Sequence, residues 1–125
     1  GDATTSTDAA RGTVLSLDGP GDGVQIASTF GASTDITIGG WVNLLNASTR
    51  SEFISLGDRV GIALDDTGNG VKAYIQNGAS TWNDISTGRY LEGTGWHHLM
   101  YVVDDTNDTA GTVGDSRTAY GDMWR

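Results

Sequence analysis

The sequence predicts an all-β protein, a two-sheet antiparallel β-sandwich, on three observations. Short runs of β-branched and aromatic residues recur at short, regular spacing and alternate with polar residues at period two. Turns rich in glycine separate them, in a chain of 125 residues with nineteen Gly and one Pro. The Ala, Leu, Glu and Lys runs that helices need are missing.

The length is that of one domain with a single modest core, and 37% hydrophobic residues suffice for it while leaving a polar surface. Residues 1–12 read as a flexible N-terminal leader or an arm that orders against a neighbour, and residues 13–125 as a single β-sandwich domain. Seven Lys and Arg against sixteen Asp and Glu give a formal charge of −9. That balance repels phosphate backbones and anionic membranes, so nucleic acid is excluded as a partner. No apolar run approaches the ~20 residues of a membrane span, so membrane insertion is not expected. With no Cys, disulfide and thiolate chemistry are excluded.

Gly1 to Gly12 are small and polar without periodicity. From Thr13 to Asp18, Leu15 and Leu17 alternate with polar residues. The turn signal Asp18-Gly19-Pro20-Gly21-Asp22-Gly23 follows, and Val24 with Ile26 forms a second short strand, a hairpin-like start. Asp35 to Leu45 is a main strand with Ile36, Ile38, Gly40 and Val42 on one face and Trp41 on the other. The glycines at 39 and 40 mark a bulge or a close approach of another backbone.

Glu52 to Leu56 and Val60 to Leu64 are short strands joined through Gly57-Asp58-Arg59. The stretch Asp65-Asp66-Thr67-Gly68-Asn69-Gly70 resembles the start of an EF-hand loop, but its twelfth position is Gln76 and strands flank it, so a hairpin turn explains it. Val71, Ala73 and Ile75 alternate with Lys72, Tyr74 and Gln76, a half-exposed strand closed by Asn77-Gly78. Thr81 to Ser86 reads as one more strand, and Gly88 to Thr94 as a connection.

The chain is organised around Gly95 to Asp105. Leu99, Tyr101 and Val103 fall on one face of this strand, and Trp96, His98, Met100 and Val102 on the other. Both faces are apolar, which predicts a central strand buried on two sides, with Trp41 and Trp96 in the core. An acidic, polar stretch follows to Asp115, and Thr118 to Trp124 then reads as a strand with no sequence partner after it.

Four phrases occur in order: Leu15-Ser16-Leu17-Asp18-Gly19, Asp22-Gly23-Val24, Asp35-Ile36-Thr37-Ile38-Gly39-Gly40-Trp41-Val42 and Gly95-Trp96-His97-His98-Leu99. Over about residues 13–105 the chain resembles the laminin G-like, concanavalin A-like lectin family. The resemblance implies a jelly roll of two curved antiparallel sheets, used mostly for recognition or adhesion on secreted, cell-surface and phage proteins. The family usually continues with a Leu-Tyr-x-Asp-Gly hairpin and further strands. Thr118-Ala119-Tyr120-Gly121-Asp122 is a faint echo of that phrase, so the jelly roll is expected to be incomplete at its C-terminus.

Some relatives of this fold are glycoside hydrolases, which work with paired carboxylates. This chain has only two Glu, Glu52 and Glu92, in separate places and without acidic neighbours at i+2, so no enzyme activity is expected. His97 and His98 are adjacent on a strand and point to opposite faces, which rules out joint chelation of one ion. No catalytic residues are assigned. Calcium is the candidate cofactor, through oxygen ligands of Asp104, Asp105 and Asp108, weighed against a solvated acidic loop.

Trp82, Asn83 and Asp84 form the candidate ligand-binding group. An exposed Trp offers an apolar platform for the face of a sugar ring, and amide and carboxylate groups receive its hydroxyls. The alternative is that Trp82 covers the core. Tyr120, Met123 and Trp124 are the candidate assembly contacts, since an unpaired strand carrying them invites association unless the chain is a fragment of a longer one.

The resulting expectation is a non-catalytic recognition or adhesion module, lectin-like by the resemblance, at an extracellular, cell-surface or virion-surface location. The rival is a structural subunit that decorates or completes a virion capsid, phage tail or filament. The expected partners are a glycan or other subunits, in a homo-oligomer or multi-chain complex.

Overall fold

The computed structural model describes residues 3–19, 21–27, 35–46, 50–57, 59–76, 82–104 and 115–120. Among them are nine strands and no helix: β1 Thr4–Asp8, β2 Gly12–Ser16, β3 Ile36–Asn43, β4 Ser51–Leu56, β5 Val60–Asp66, β6 Gly70–Gln76, β7 Trp82–Ser86, β8 Trp96–Asp104 and β9 Asp115–Tyr120. The chain divides into two compact units, Gly1–Ala32 and Ser33–Arg125.

The first unit contains the antiparallel pair β1–β2. Strand β1 lies within the residues expected to form a leader. Thr4, Thr5 and Thr7 favour extended backbone through β-branching rather than through apolar alternation. Asp8 Oδ1 accepts hydrogen bonds from the amides of Ala10 and Arg11, both at 2.9 Å, and Gly12 takes the positive φ of 74° that brings the chain back. Strand β2 therefore pairs with the segment before it rather than with Val24 and Ile26, and residues 22–27 contain no strand. The turn expected at Asp18 to Gly23 is present: Asp22 Oδ2 accepts from the amides of Asp18 and Gly19, both at 3.1 Å.

The second unit holds two antiparallel sheets, a back sheet in the order β3-β8-β9 and a front sheet in the order β4-β5-β6-β7. They share one apolar core. Ile38, Leu99, Tyr101 and Val103 enter it from the back sheet, and Ile62, Leu64, Val71 and Ala73 from the front, with Leu44 and Leu91 from the connections. Ile62, Val71, Leu99 and Tyr101 are fully buried, and each aliphatic side chain so buried stabilises the fold by about 1.5–3 kcal/mol. This is a β-sandwich, as the spacing of strands predicted.

Strand β8 is central in the back sheet, paired with β3 from Trp96 to Val103 and with β9 from Leu99 to Asp104. Its two faces differ, contrary to expectation. Leu99, Tyr101 and Val103 are buried in the core, whereas Trp96, His98, Met100 and Val102 are only half-buried. Trp41 shares this outer face, because its cross-strand partner is His98, and it is likewise half-buried. The expectation that Trp41 and Trp96 belong to the core is thus corrected: period two assigns residues to faces, and the aliphatic Leu99 and Val103 face inward here.

The β3–β8 register runs without a bulge from Ile36↔Val103 to Asn43↔Trp96. Gly39 is instead a place of close backbone approach, where a Cβ would lie 2.5 Å from the Leu99 carbonyl oxygen and 3.1 Å from Met100 Cα. The C-terminal strand expected over Thr118 to Trp124 is set earlier and is paired: Asp115–Tyr120 lies along β8 with Tyr120 opposite Leu99.

Candidate functional site

Strand alternation and register place Lys72, Tyr74 and Gln76 of β6 on the face of the front sheet that points away from the core. Gly61 and Ala63 of β5 lie beside them, with Trp82, Asp84 and Ser86 of β7 on the far side and Glu52 and Ser55 of β4 on the near side. A bulge at Phe53 lets Glu52 and Ser55 both reach this face.

Tyr74 is the hinge of the arrangement. Its ring lies across β5 because Gly61 has no side chain there: a Cβ at Gly61 would collide with the Tyr74 hydroxyl and ring and lie 2.7 Å from the Ile54 carbonyl oxygen. The phenol donates a hydrogen bond to Glu52 Oε1, and Ser55 Oγ lies 3.2 Å from the Tyr74 hydroxyl oxygen. Burial pushes the Tyr74 hydroxyl up to about 12, reinforced by the hydrogen bond to the Glu52 carboxylate. At neutral pH it is therefore a fixed donor. The strand expected to be half-exposed is more enclosed than that, with Tyr74 itself only 5% exposed.

Trp82 stands at the edge of this group, 47% exposed. Its ring meets Tyr74 edge-on, with centroids 5.5 Å apart at 70°. Across the face, the Arg50 guanidinium sits 5.2 Å from the centre of the Tyr74 ring and 3.0 Å from Glu52 Oε2. On the other side Lys72 Nζ lies 2.7 Å from Asp84 Oδ2, a diagonal cross-strand pair. Arg50, Glu52, Lys72, Tyr74, Trp82 and Asp84 line one open cleft of about 530 Å³. Ion pairs this exposed contribute only about 0–1 kcal/mol each. Their consequence is chemical: they line the cleft with fixed donors and acceptors beside an aromatic platform.

Of the predicted ligand-binding group, the structure brings Trp82 and Asp84 together in this cleft. Asn83, between them on the strand, lies on the opposite face of β7. Arg50, Glu52, Lys72 and Tyr74 were not among the predicted site residues. The signal for Lys72 and Tyr74 was present, as the polar half of the alternation in β6. Glu52 gave no such signal, since it reaches the cleft only through strand pairing.

The other predicted sites are separate. Asp104 ends β8 opposite Asp115, while Asp105 and Asp108 lie outside the described residues. Among the described residues no group of three or more His, Cys, Asp or Glu is placed to hold a metal ion. Tyr120 ends β9, and Met123 and Trp124 lie outside the described residues. His97 and His98 point to opposite faces: His97 Nε2 is 2.7 Å from Thr94 Oγ1, and His98 meets the Trp41 ring edge-on at 5.2 Å.

The stretch that resembles an EF-hand start is a hairpin turn between β5 and β6. Asp65 is buried at 5% exposure, and its carboxylate accepts the amides of Leu91 at 2.8 Å and Glu92 at 3.0 Å. It ties the β7–β8 connection to the front sheet. Next to it, the Gly70 backbone lies against Arg89, where Val71 N donates to Arg89 O at 2.8 Å. This fixes the direction in which the chain leaves β7, while the β6–β7 register sets Trp82 opposite Gln76 and Asp84 opposite Tyr74.

Against known families, a model described as the concanavalin A-like lectin/glucanases superfamily, laminin G-like, matches residues 18–113, most of the chain. The chain belongs to this family. No curated protein and no solved structure gives a significant match. Membership accords with the two antiparallel sheets and places the protein among carbohydrate-binding or adhesion-type modules, whose laminin G-like members are generally non-catalytic.

Proposed function

We propose that the protein is a non-catalytic recognition module that binds a glycan in the front-sheet cleft. The observation that carries this reading is Trp82, half-exposed and braced edge-on by the buried Tyr74. A sugar ring laid on Trp82 buries its C–H face, and its hydroxyls meet the Asp84 and Lys72 pair next to it. Glu52 and Arg50 extend the polar lining across the cleft. Lectin-like work of this kind belongs on an exterior surface, of a cell or a virion.

The test is binding of the purified protein to a broad glycan array, with Trp82→Ala beside it. Glycan binding by the wild type that Trp82→Ala abolishes, with unchanged circular dichroism, supports the reading. Binding that survives the substitution places the ligand elsewhere.

A second reading, a structural subunit of a larger assembly, draws on the first unit. Leu15 is 51%, Leu17 49%, Val24 61% and Ile26 75% exposed, and a two-stranded hairpin is marginal by itself in water. Apolar side chains displayed so openly mark interaction surfaces. Sedimentation at micromolar concentration separates the two: a monomer that binds glycans favours the first reading, and an oligomer that Leu15→Ser with Ile26→Ser dissociates favours the second.

A further inference from the structure

We infer that the front-sheet cleft selects uncharged saccharides and discriminates against sulphated and uronate-bearing ones; this rests on the glycan reading of the same cleft. Both cations lining it are already matched to carboxylates, Arg50 to Glu52 at 3.0 Å and Lys72 to Asp84 at 2.7 Å. The lining therefore has as many carboxylates as cations, inside a chain whose formal charge is −9.

An anionic sugar approaching Arg50 or Lys72 meets Glu52 or Asp84 at nearly the same distance. Its attraction to one charge is cancelled by repulsion from the other, and the field of the whole chain repels polyanions before contact. A sulphate would have to displace a carboxylate that is held in place. The Glu52 carboxylate is held by Tyr74 through Oε1 as well as by Arg50 through Oε2, so it stays beside Arg50 and repels an incoming sulphate.

An uncharged sugar faces no such conflict. Each hydroxyl is both donor and acceptor, and a carboxylate paired with a cation offers one of each at adjacent positions. Asp84 Oδ2 is engaged by Lys72, and a carboxylate has a second oxygen with which to accept from a hydroxyl. Trp82 supplies the face on which a ring without charge stacks, two positions along the strand.

The experiment uses the intact protein and three soluble probes: a neutral glucan or mannan, a polyuronate and a sulphated galactan. Tryptophan fluorescence and affinity electrophoresis are read at low and at high salt. The expected result is binding to a neutral polymer that changes little with salt, and no retention on either anionic polymer. A second arm uses Glu52→Gln with Asp84→Asn, which leaves Arg50 and Lys72 without their carboxylates. This variant is expected to gain affinity for the sulphated polymer by roughly tenfold or more, in a manner that high salt removes.

Wild-type binding confined to the anionic polymers, and weakened by salt, overturns the inference while leaving the glycan reading intact. Failure to bind any of the three polymers or any glycan of an array sinks that reading, and the inference with it. Should the double variant lose its circular dichroism signature, the wild-type salt dependence alone decides.

Discussion

The outward face of the back sheet carries Trp41, Trp96 and His98, and that of the front sheet carries Tyr74 and Trp82. In both, an aromatic pair meets edge-on, Trp41 with His98 at 5.2 Å and Tyr74 with Trp82 at 5.5 Å. Their neighbours differ. Around Trp41 and Trp96 stand Thr37, Gly39, Asn43 and Met100, none with a formal charge; the charged positions of this face, Asp104, Asp115 and Arg117, lie toward its other end in the β8–β9 register. Around Tyr74 and Trp82 stand Arg50, Glu52, Lys72 and Asp84, joined in two ion pairs. Aromatic rings alone describe covered apolar surface; rings set between matched charges describe a site for a polar ligand with an apolar face. The comparison also separates stability from function, since the ion-paired residues of the front cleft and the exposed Trp82 contribute little to holding the fold together.

The largest expected effect lies beneath both faces. Leu99 is fully buried at the centre of the back sheet, within the core shared with the front. Leu99→Ala should cost about 2–5 kcal/mol in a denaturant titration, and it should loosen both faces together. A loss confined to one face would mean that the sheets do not share a core.

Next comes the back face. Trp96 is half-buried, so Trp96→Ala should cost about 2 kcal/mol, below the 3–5 kcal/mol of a buried aromatic, and glycan binding should be unchanged. A change in binding would blur the distinction drawn between the faces.

These two expectations show what was legible in the sequence. Strand β8 was, because nine alternating residues leave little freedom in where a strand lies. Which of its faces turned inward was not. Trp96, Met100 and Val102 are as apolar as Leu99 and Val103, and only the partner sheet decides between them. Strand β1 escaped notice because Thr4, Thr5 and Thr7 favour extended backbone without an apolar face to mark it. In the cleft, Trp82 and Asp84 were legible as a local group. Tyr74 looked half-exposed because its burial depends on the missing side chain of Gly61, a residue on the neighbouring strand. Arg50 and Glu52 join the site through the β4–β5–β6 register and a bulge, and neither is written in their local sequence.

A smaller effect belongs to the Tyr74 hydroxyl. Tyr74→Phe removes the hydrogen bond to Glu52 and should cost about 1 kcal/mol at neutral pH. The pH dependence is more telling. The hydroxyl is raised from 10.0 to about 12 in the fold, so its protonated form is favoured by folding. Above pH ~10 the unfolded chain releases a proton that the folded one keeps, and stability falls as pH climbs toward 12. Wild type should therefore lose stability over that window faster than Tyr74→Phe. Parallel titrations of the two would show that burial and Glu52 do not raise the Tyr74 hydroxyl in the fold.

Trp82 gives the smallest expected effect on stability and the sharpest contrast with Trp96. Nearly half of its surface is exposed, and its described ring contact is the edge-on one with Tyr74. That contact is worth about 0.5–1.5 kcal/mol beyond area burial, and at the edge of the sheet the lower end applies. Trp82→Ala should thus shift the unfolding midpoint only slightly. Its effect on glycan binding should nevertheless be near-complete, because the platform is removed while Lys72, Asp84, Glu52 and Arg50 stay in place. Hydroxyl contacts without a stacking face compete directly with water, which makes the same hydrogen bonds at no loss of freedom. Trp82→Phe, which keeps a smaller face, should restore part of the binding. If Trp82→Ala instead destabilised the protein as much as Trp96→Ala, Trp82 would be a cover for the core, and the difference between the two faces would lie in their charges alone.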